Sequence, residues 1–302
     1  MKKEVNIEKL PIKGYLFLIS TAFFTALSYA LGKALGKGQD PETTTFFWFF
    51  GAFIFALILV PFLPSQKFEL KNIGKYKKIF LWSSILTSIG AALWIISLWT
   101  IGAPLTSFLM KAQTVFSLLL GVFFLGERLN RGETIGILIT IPGGIIVAYQ
   151  SDTYLLIGTI TALSAAFFYS LLSFTVKKIA QNLNMLTVAT LRCLGVSITL
   201  FFYLIVTGTF QMPTLKQIII MAFGGITGAY IAKASQFQAI KLLDISRTTA
   251  VMPLESIFVV LLSYFLFDDL PSVLKLIGGA GIIIGVVFLV IFRAEKSVGL
   301  DK

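Results

Sequence analysis

Four ionisable side chains, Lys111, Arg192, Lys233 and Glu255, stand inside stretches that are otherwise almost wholly apolar. An ammonium or guanidinium in such surroundings attracts and hydrogen-bonds a carboxylate or a phosphate. A carboxylate there pairs with a cation, accepts a substrate amine or carries a proton. Bond-making chemistry has less to work with. The chain has no histidine and one cysteine, Cys193, so a Ser-His-Asp set, a Cys/His metal site and a disulfide framework are all excluded by counting. Gly32-Lys33 and Gly36-Lys37 lack the spacing of a nucleotide-binding Walker loop. The residues therefore point to binding and moving charge, with no enzyme activity, no cofactor and no metal expected.

Of 302 residues, 57% are hydrophobic and 13% are charged, with a mean hydropathy of +0.90. A soluble domain carries about 25% charged residues, so most of this surface must face lipid. Crossing ~30 Å of hydrocarbon takes about 20 apolar residues. Ten runs qualify, near 14–34, 44–64, 79–100, 103–125, 133–150, 154–176, 186–208, 217–241, 247–267 and 272–292. The joining segments are too short for a soluble module. The basic start (Lys2, Lys3, Lys9, Lys13) followed by an apolar run and Ser28-Tyr29-Ala30 also fits a cleaved secretory leader. The repeat described below argues instead that residues 14–33 belong to the folded protein.

The net charge of +11 suits nucleic acid at first sight, but its distribution gives another reading. With the N-terminus in the cytoplasm, eighteen Lys and Arg fall in inner segments, including the clusters Lys67–Lys78 and Arg293–Lys302. Four, Lys33, Lys37, Lys216 and Lys275, fall outside, and the rest are intramembrane. That bias is the positive-inside pattern of an even number of spans. It predicts a multi-pass protein of the cell (inner) membrane with both termini cytoplasmic, in contact with lipid and not with nucleic acid.

The second half resembles the first. At an offset of 144, Gly14, Ser20, Phe23, Lys33, Thr43 and Gly51 meet Gly158, Ser164, Phe167, Lys177, Thr187 and Gly195. At 142, Thr106, Met110, Gly136 and Gly143 meet Thr248, Met252, Gly278 and Gly285. The expected organisation is two five-helix repeats, 14–150 and 154–292, with tails 1–13 and 293–302. Five is odd, so the second repeat enters the membrane from the opposite face. The fold class is an all-α integral membrane protein of ten transmembrane helices arranged as two inverted repeats. In transporters such pairs place the substrate near the midplane between the repeats and alternate access by rocking one against the other.

Each repeat also carries an acidic turn before its fifth helix: FFLGERLNRGETIG at 123–136 and FLFDDLPSVLKLIG at 265–278, with Asp269 at the position of Glu127. With these turns and the ten-span duplication, the chain resembles the drug/metabolite transporter superfamily, EamA type. That family often has a proline midway along the fourth helix of each repeat. Pro253 fits; in the first copy Lys111 stands in its place. The resemblance implies a permease and leaves the substrate class open, since members export amino acids, drugs and other metabolites.

A charge at mid-bilayer costs on the order of 3 kcal/mol, so each such residue must face a partner or water. Lys111 lies about 12 Å into its run; Lys233 and Glu255 are similarly deep. Arg192 is shallower and either snorkels to the surface or faces inward. By the repeat, Gln113 is equivalent to Glu255. Lys111 and Glu255 either lock the halves as a salt bridge or line the cavity. Tyr230, Lys233 and Gln236 recur every three residues and so share one helical face. Trp94, the mate of Gln236, is too deep for an interfacial belt; it is packing or a cavity wall, and Tyr29 is similar. The expected substrate site is Lys111, Gln113, Lys233, Gln236, Glu255, Trp94, Tyr230 and Tyr29. The candidate coupling ion is a proton carried by Glu255. The expected function is secondary transport, by alternating access, of a small organic metabolite, an amino acid or related carboxylate, in the export direction. Exchange of phosphorylated metabolites or nucleotide-sugars, and an intramembrane enzyme or lipid-binding scaffold, are the alternatives. The G-x-x-x-G spacings Gly132/Gly136 and Gly281/Gly285 serve packing within a monomer or a homodimer contact.

Overall fold

A backbone surrounded by hydrocarbon must satisfy its own N–H and C=O groups, which leaves helices or a closed barrel. The computed structural model, which describes residues 12–36, 38–59, 74, 76–125, 129–149, 153–180, 185–242 and 253–299, is built of helices, and no strand occurs among the described residues. In chain order they are α1 (Ile12–Leu35), α2 (Pro41–Leu59), α3 (Lys77–Met110), α4 (Ala112–Leu125), α5 (Arg131–Ala148), α6 (Thr153–Ala180), α7 (Met185–Thr207), α8 (Leu215–Gly224), a π-helical segment (Gly225–Ala232), α9 (Lys233–Leu242), α10 (Leu254–Phe267) and α11 (Val273–Gly299). Eight are long and apolar enough to cross a membrane, counting α8, the π segment and α9 as one rod. The chain is thus a multi-pass membrane protein. Large apolar side chains face outward, among them Val206, Phe123 and Phe265, which are 84%, 79% and 75% exposed, as a lipid-facing surface requires.

Two of the ten expected runs, α4 and α10, are short, with 14 residues each. The reason lies at their N-terminal ends. α3 spans 34 residues, about 50 Å if straight, well beyond the ~30 Å of hydrocarbon. It breaks at Gly102, whose φ of 82° and ψ of 166° are left-handed and suit only glycine. The run read as 103–125 is therefore the last limb of α3, a tight turn at Lys111 (Lys111 N to Phe108 O, 3.1 Å) and α4. In the second half α10 starts behind Pro253; the expected earlier part of that run, 247–252, lies outside the described residues, as does Glu127.

α1 is integral to the bundle, packing against α3, the α8–π–α9 rod and α10. It is not positioned like a detached leader. The pairings come in matched sets. α6 packs against α3 as α1 packs against the α8–π–α9 rod, and α4 against α6 as α10 against α1.

Backbones also approach closely where α5 crosses α11. A Cβ on Gly143 would lie 2.7 Å from Gly278 O and one on Gly136 2.8 Å from Gly285 O. The low-numbered glycine of one helix meets the high-numbered glycine of the other, so the two run antiparallel. Since Gly136 is the repeat mate of Gly278 and Gly143 of Gly285, exchanging the halves maps this crossing onto itself. The G-x-x-x-G glycines are thus spent within the chain. Both ends of the crossing are tied. Asn130, the N-cap of α5 in a capping box with Glu133, also donates to Phe292 O at 2.8 Å. Lys275 donates to Ile146 O, Val147 O and Tyr149 O, capping the C-terminus of α5. A further tie joins the end of α1 to the acidic turn: Lys33 pairs with Asp269 and lies over the Phe267 ring.

Replacing Gly143 by valine drives a side chain into the backbone of α11, an overpacking that costs about 1–3 kcal/mol. Gly143→Val lowers the melting temperature of the detergent-purified protein. Gly144→Ala, which has no heavy atom within 4 Å of the added Cβ, leaves it unchanged or slightly raised. Equal melting curves for all three proteins would contradict the crossing.

Candidate functional site

Lys111 sits in the turn between α3 and α4; Glu255 occupies the first turn of α10, where the positive end of the helix dipole favours a carboxylate. Their side chains are 10% and 8% exposed, and Lys111 Nζ lies 3.1 Å from Glu255 Oε1. Two charges this deep are tolerated because each neutralises the other. A second bond holds the two breaks together, Ser256 Oγ donating to Ser107 O at 3.3 Å.

Around this pair opens a cavity of about 720 Å³, within the range of roughly 300–1,000 Å³ of small-molecule sites. α1 contributes Thr25, Ser28 and Tyr29; α2 Thr45, Trp48 and Phe49; α3 Ala91, Trp94, Ile95 and Met110; and the turn after it Lys111. Gln113, Thr114, Ser117 and Leu118 come from α4, and Tyr169, Leu172 and Ser173 from α6. Arg192 comes from α7, Gly228 and Ala229 from the π segment, Lys233 and Gln236 from α9, Glu255 from α10, and Leu289 and Val290 from α11.

Hydrogen bonds and ring contacts order these walls. Lys233 Nζ donates to Gln236 Oε1 at 3.0 Å. Arg192 Nη2 donates to Ala229 O at 2.9 Å, and its guanidinium lies 5.6 Å from the Phe49 ring centroid. Gln113 Nε2 donates to Ser173 Oγ at 3.2 Å and to Tyr169 O at 3.4 Å. Trp94 meets Tyr29 edge to face at 5.1 Å and Trp48 at 5.8 Å. Among the described residues neither Arg192 nor Lys233 has a carboxylate within ion-pairing distance; Arg192 bonds Ala229 O and the Cys193 thiol, and Lys233 bonds Gln236 Oε1.

Of the residues expected from sequence, Lys111, Gln113, Lys233, Gln236, Glu255, Trp94 and Tyr29 border this one cavity. Tyr230 does not. It is 1% exposed, packed edge to face on Phe55 at 5.9 Å in the apolar cluster of α2 and α7. The assumption of a common face fails because Tyr230 belongs to the π segment. A π turn takes more residues than an α turn, so three positions no longer bring Tyr230 above Lys233. Arg192 resolves the other way: its guanidinium turns into the cavity, and its bond to Ala229 O replaces the snorkelling alternative.

Trp48, Arg192, Tyr169 and Ser173 were not among the expected site residues, although the repeat carries a signal for them. At the offset of 144, Trp48 is the mate of Arg192, Tyr29 of Ser173 and Thr25 of Tyr169. At 142, Trp94 is the mate of Gln236, Ala91 of Lys233 and Gln113 of Glu255. Both members of every one of these pairs border the cavity.

The profile of the EamA-like transporter family matches residues 12–149 and again 156–291. An uncharacterized transporter of Methanothermobacter thermautotrophicus is 22% identical over 296 residues, covering 91% of this chain and 85% of its own. A chain of known crystal structure superposes with a TM-score of 0.62 at 15% identity, over 93% of this chain and 98% of that one, and shares the fold.

Removing one member of a buried ion pair strands the other and costs about 3–5 kcal/mol, whereas replacing both by apolar residues is near neutral. Lys111→Met or Glu255→Leu alone is expected to destabilise the purified protein by roughly that amount, and the double variant to recover most of the loss. Additive losses in thermal or denaturant unfolding would contradict a direct pair.

Proposed function

We propose, on the premise that this chain belongs to the EamA-like transporter family, that it is a secondary transporter of the cell membrane. It moves a small organic metabolite by alternating access through the cavity around Lys111 and Glu255. The substrate is an amino acid or related carboxylate, carried in the export direction. The observation that carries this reading is the cation excess of the cavity, where Lys111, Arg192 and Lys233 face one described carboxylate, Glu255.

The mechanism follows from the repeat. Five helices per half invert the second relative to the first, giving ten spans, and the antiparallel meeting of Gly136 with Gly285 and Gly143 with Gly278 supports that inversion. A twofold through this crossing lies in the membrane plane, so one half rocking against the other turns an opening on one face into an opening on the other. The cavity lies between repeat-equivalent residues, where both conformations retain contact with the substrate. The anionic group sits by Lys233 and Arg192. Glu255 exchanges its lysine partner for a substrate amine or a proton, and Gln113, Gln236, Trp94 and Tyr29 shape the cavity. Since transport uses a gradient or exchange, it needs no nucleophile and no cofactor. The Lys and Arg bias toward one set of loops supports cytoplasmic termini.

A second reading, exchange of phosphorylated metabolites or nucleotide-sugars, is favoured by the same pair of cations, since guanidinium and ammonium also suit phosphate. Counter-substrate separates the two. Reconstituted vesicles are expected to move carboxylates down their own gradient or with a pH gradient, without a trapped exchange partner. A strict requirement for internal phosphorylated compound selects the second reading. Losing one charged hydrogen bond costs about 1.5–3 kcal/mol, a ten- to hundredfold effect, so Arg192→Gln is expected to lower carboxylate flux by roughly that factor. Unchanged flux in Arg192→Gln would remove the cavity from the pathway.

A further inference from the structure

The cavity has two kinds of lining, and this narrows its substrate. The first half supplies rings: Tyr29, Trp94 and Trp48 are joined edge to face at 5.1 and 5.8 Å into a continuous aromatic surface. At the repeat-equivalent positions the second half supplies polar groups, Ser173 for Tyr29, Gln236 for Trp94 and Arg192 for Trp48. The register behind the last equivalence is anchored on both sides. Thr43 and Thr187 are each almost fully buried, and Gly51 and Gly195 each take a close contact, with Ala222 and Ser84. The rings of the first half and the polar groups of the second therefore border the same cavity, and Arg192 lies beside the α2 aromatics, over the Phe49 ring.

The charges lining the cavity are unequal in their needs. Glu255, the sole carboxylate among the described lining residues, is already engaged by Lys111 at 3.1 Å. Arg192 and Lys233 bond neutral groups in the described structure, Arg192 the Ala229 carbonyl and the Cys193 thiol, Lys233 the Gln236 Oε1. They are neighbours: Ala229, which holds Arg192, lies one turn before Lys233 on the same rod, and the two cations are within electrostatic reach of each other. A guanidinium fork beside an ammonium accommodates one carboxylate with both oxygens bonded. An α-ammonium would enter a site with surplus positive charge, and would have to displace Lys111 to reach Glu255.

We infer that the cavity selects an aryl organic acid without an amine, its carboxylate between Arg192 and Lys233 and its ring against Tyr29, Trp94 and Trp48. This deepens the transport reading and rests on it. The ring contributes by burial and by edge-to-face or stacked contact with the aromatic wall; the head relieves two desolvated cations at once.

The test uses four probes that share parts: 3-phenylpropionate, phenylalanine, phenethylamine and propionate, titrated against the full-length protein in detergent by calorimetry and assayed for flux in liposomes. 3-Phenylpropionate is expected to bind at least tenfold more tightly than each of the others. In Trp94→Leu its affinity falls toward that of propionate, which itself is unchanged; Trp94→Phe restores most of the difference. In Arg192→Gln all carboxylate binding weakens. Phenylalanine binding as well as 3-phenylpropionate overturns the inference, because the amine is then accepted. Propionate binding as well as 3-phenylpropionate, or an unchanged Trp94→Leu, overturns it too, because the rings then do nothing. In those cases flux that still depends on Arg192 leaves the transport reading standing. If no anion binds or crosses, both fall.

Discussion

An ionised side chain in a slab of low dielectric has to be neutralised, solvated or moved to the edge, and the Lys111–Glu255 pair is where this chain meets that constraint most severely. The two charges sit on different halves of the sequence, at the points where the fourth helix of each half is interrupted. Interruption and charge belong together. Lys111 occupies a tight turn and Glu255 a first helical turn behind Pro253, and the positive end of a helix favours the carboxylate. The bond between Ser256 and Ser107 holds the two breaks in register. Around them the bundle cannot close to lipid-like packing, and the cavity follows.

The second organising element is the α5–α11 crossing, where four glycines let two backbones approach. Its antiparallel sense and its exchange of repeat mates give the molecule a local twofold. The cavity obeys the same relation in position but not in chemistry. Repeat-equivalent sites border the same space, yet Tyr29, Trp94 and Trp48 in the first half are matched by Ser173, Gln236 and Arg192 in the second. A duplicated unit lined by identical residues would present the same chemistry twice. Divergence between the halves allows one cavity to grip two unlike ends of a molecule.

Much of this was legible in the sequence because membrane burial makes charge conspicuous. Lys111, Lys233 and Glu255 stand out in apolar text, and each borders the cavity. The apolar runs and the duplicated glycines were legible for the same reason. The failures have physical causes. Tyr230 was placed by an α-helical spacing that the π segment does not obey, and no local residue pattern announces that segment beyond its glycines. Arg192 lay close enough to a predicted span end that a long side chain had two solutions, and only its bond to Ala229 O decides between them. Trp48 resembled one more aromatic residue in an aromatic helix; its significance emerges when it is set against Arg192 through the repeat. The shortness of α4 and α10 depended on the break at Gly102 and the start at Pro253, which apolar periodicity alone does not mark.

The central claim is that the intramembrane charges face water and not lipid. Cysteine accessibility tests it most directly, because only a hydrated thiol ionises and reacts with a methanethiosulfonate reagent. In a Cys193→Ser background, which removes the one native thiol, buried in α7, single cysteines at Gln113 and Gln236 are predicted to react in the membrane-embedded protein. Cysteines at Leu138 and Ile145, whose side chains are 64% and 63% exposed on the outer surface of α5, are predicted to stay unmodified in the bilayer. Labelling at Leu138 and Ile145 with none at Gln113 and Gln236 would contradict the account.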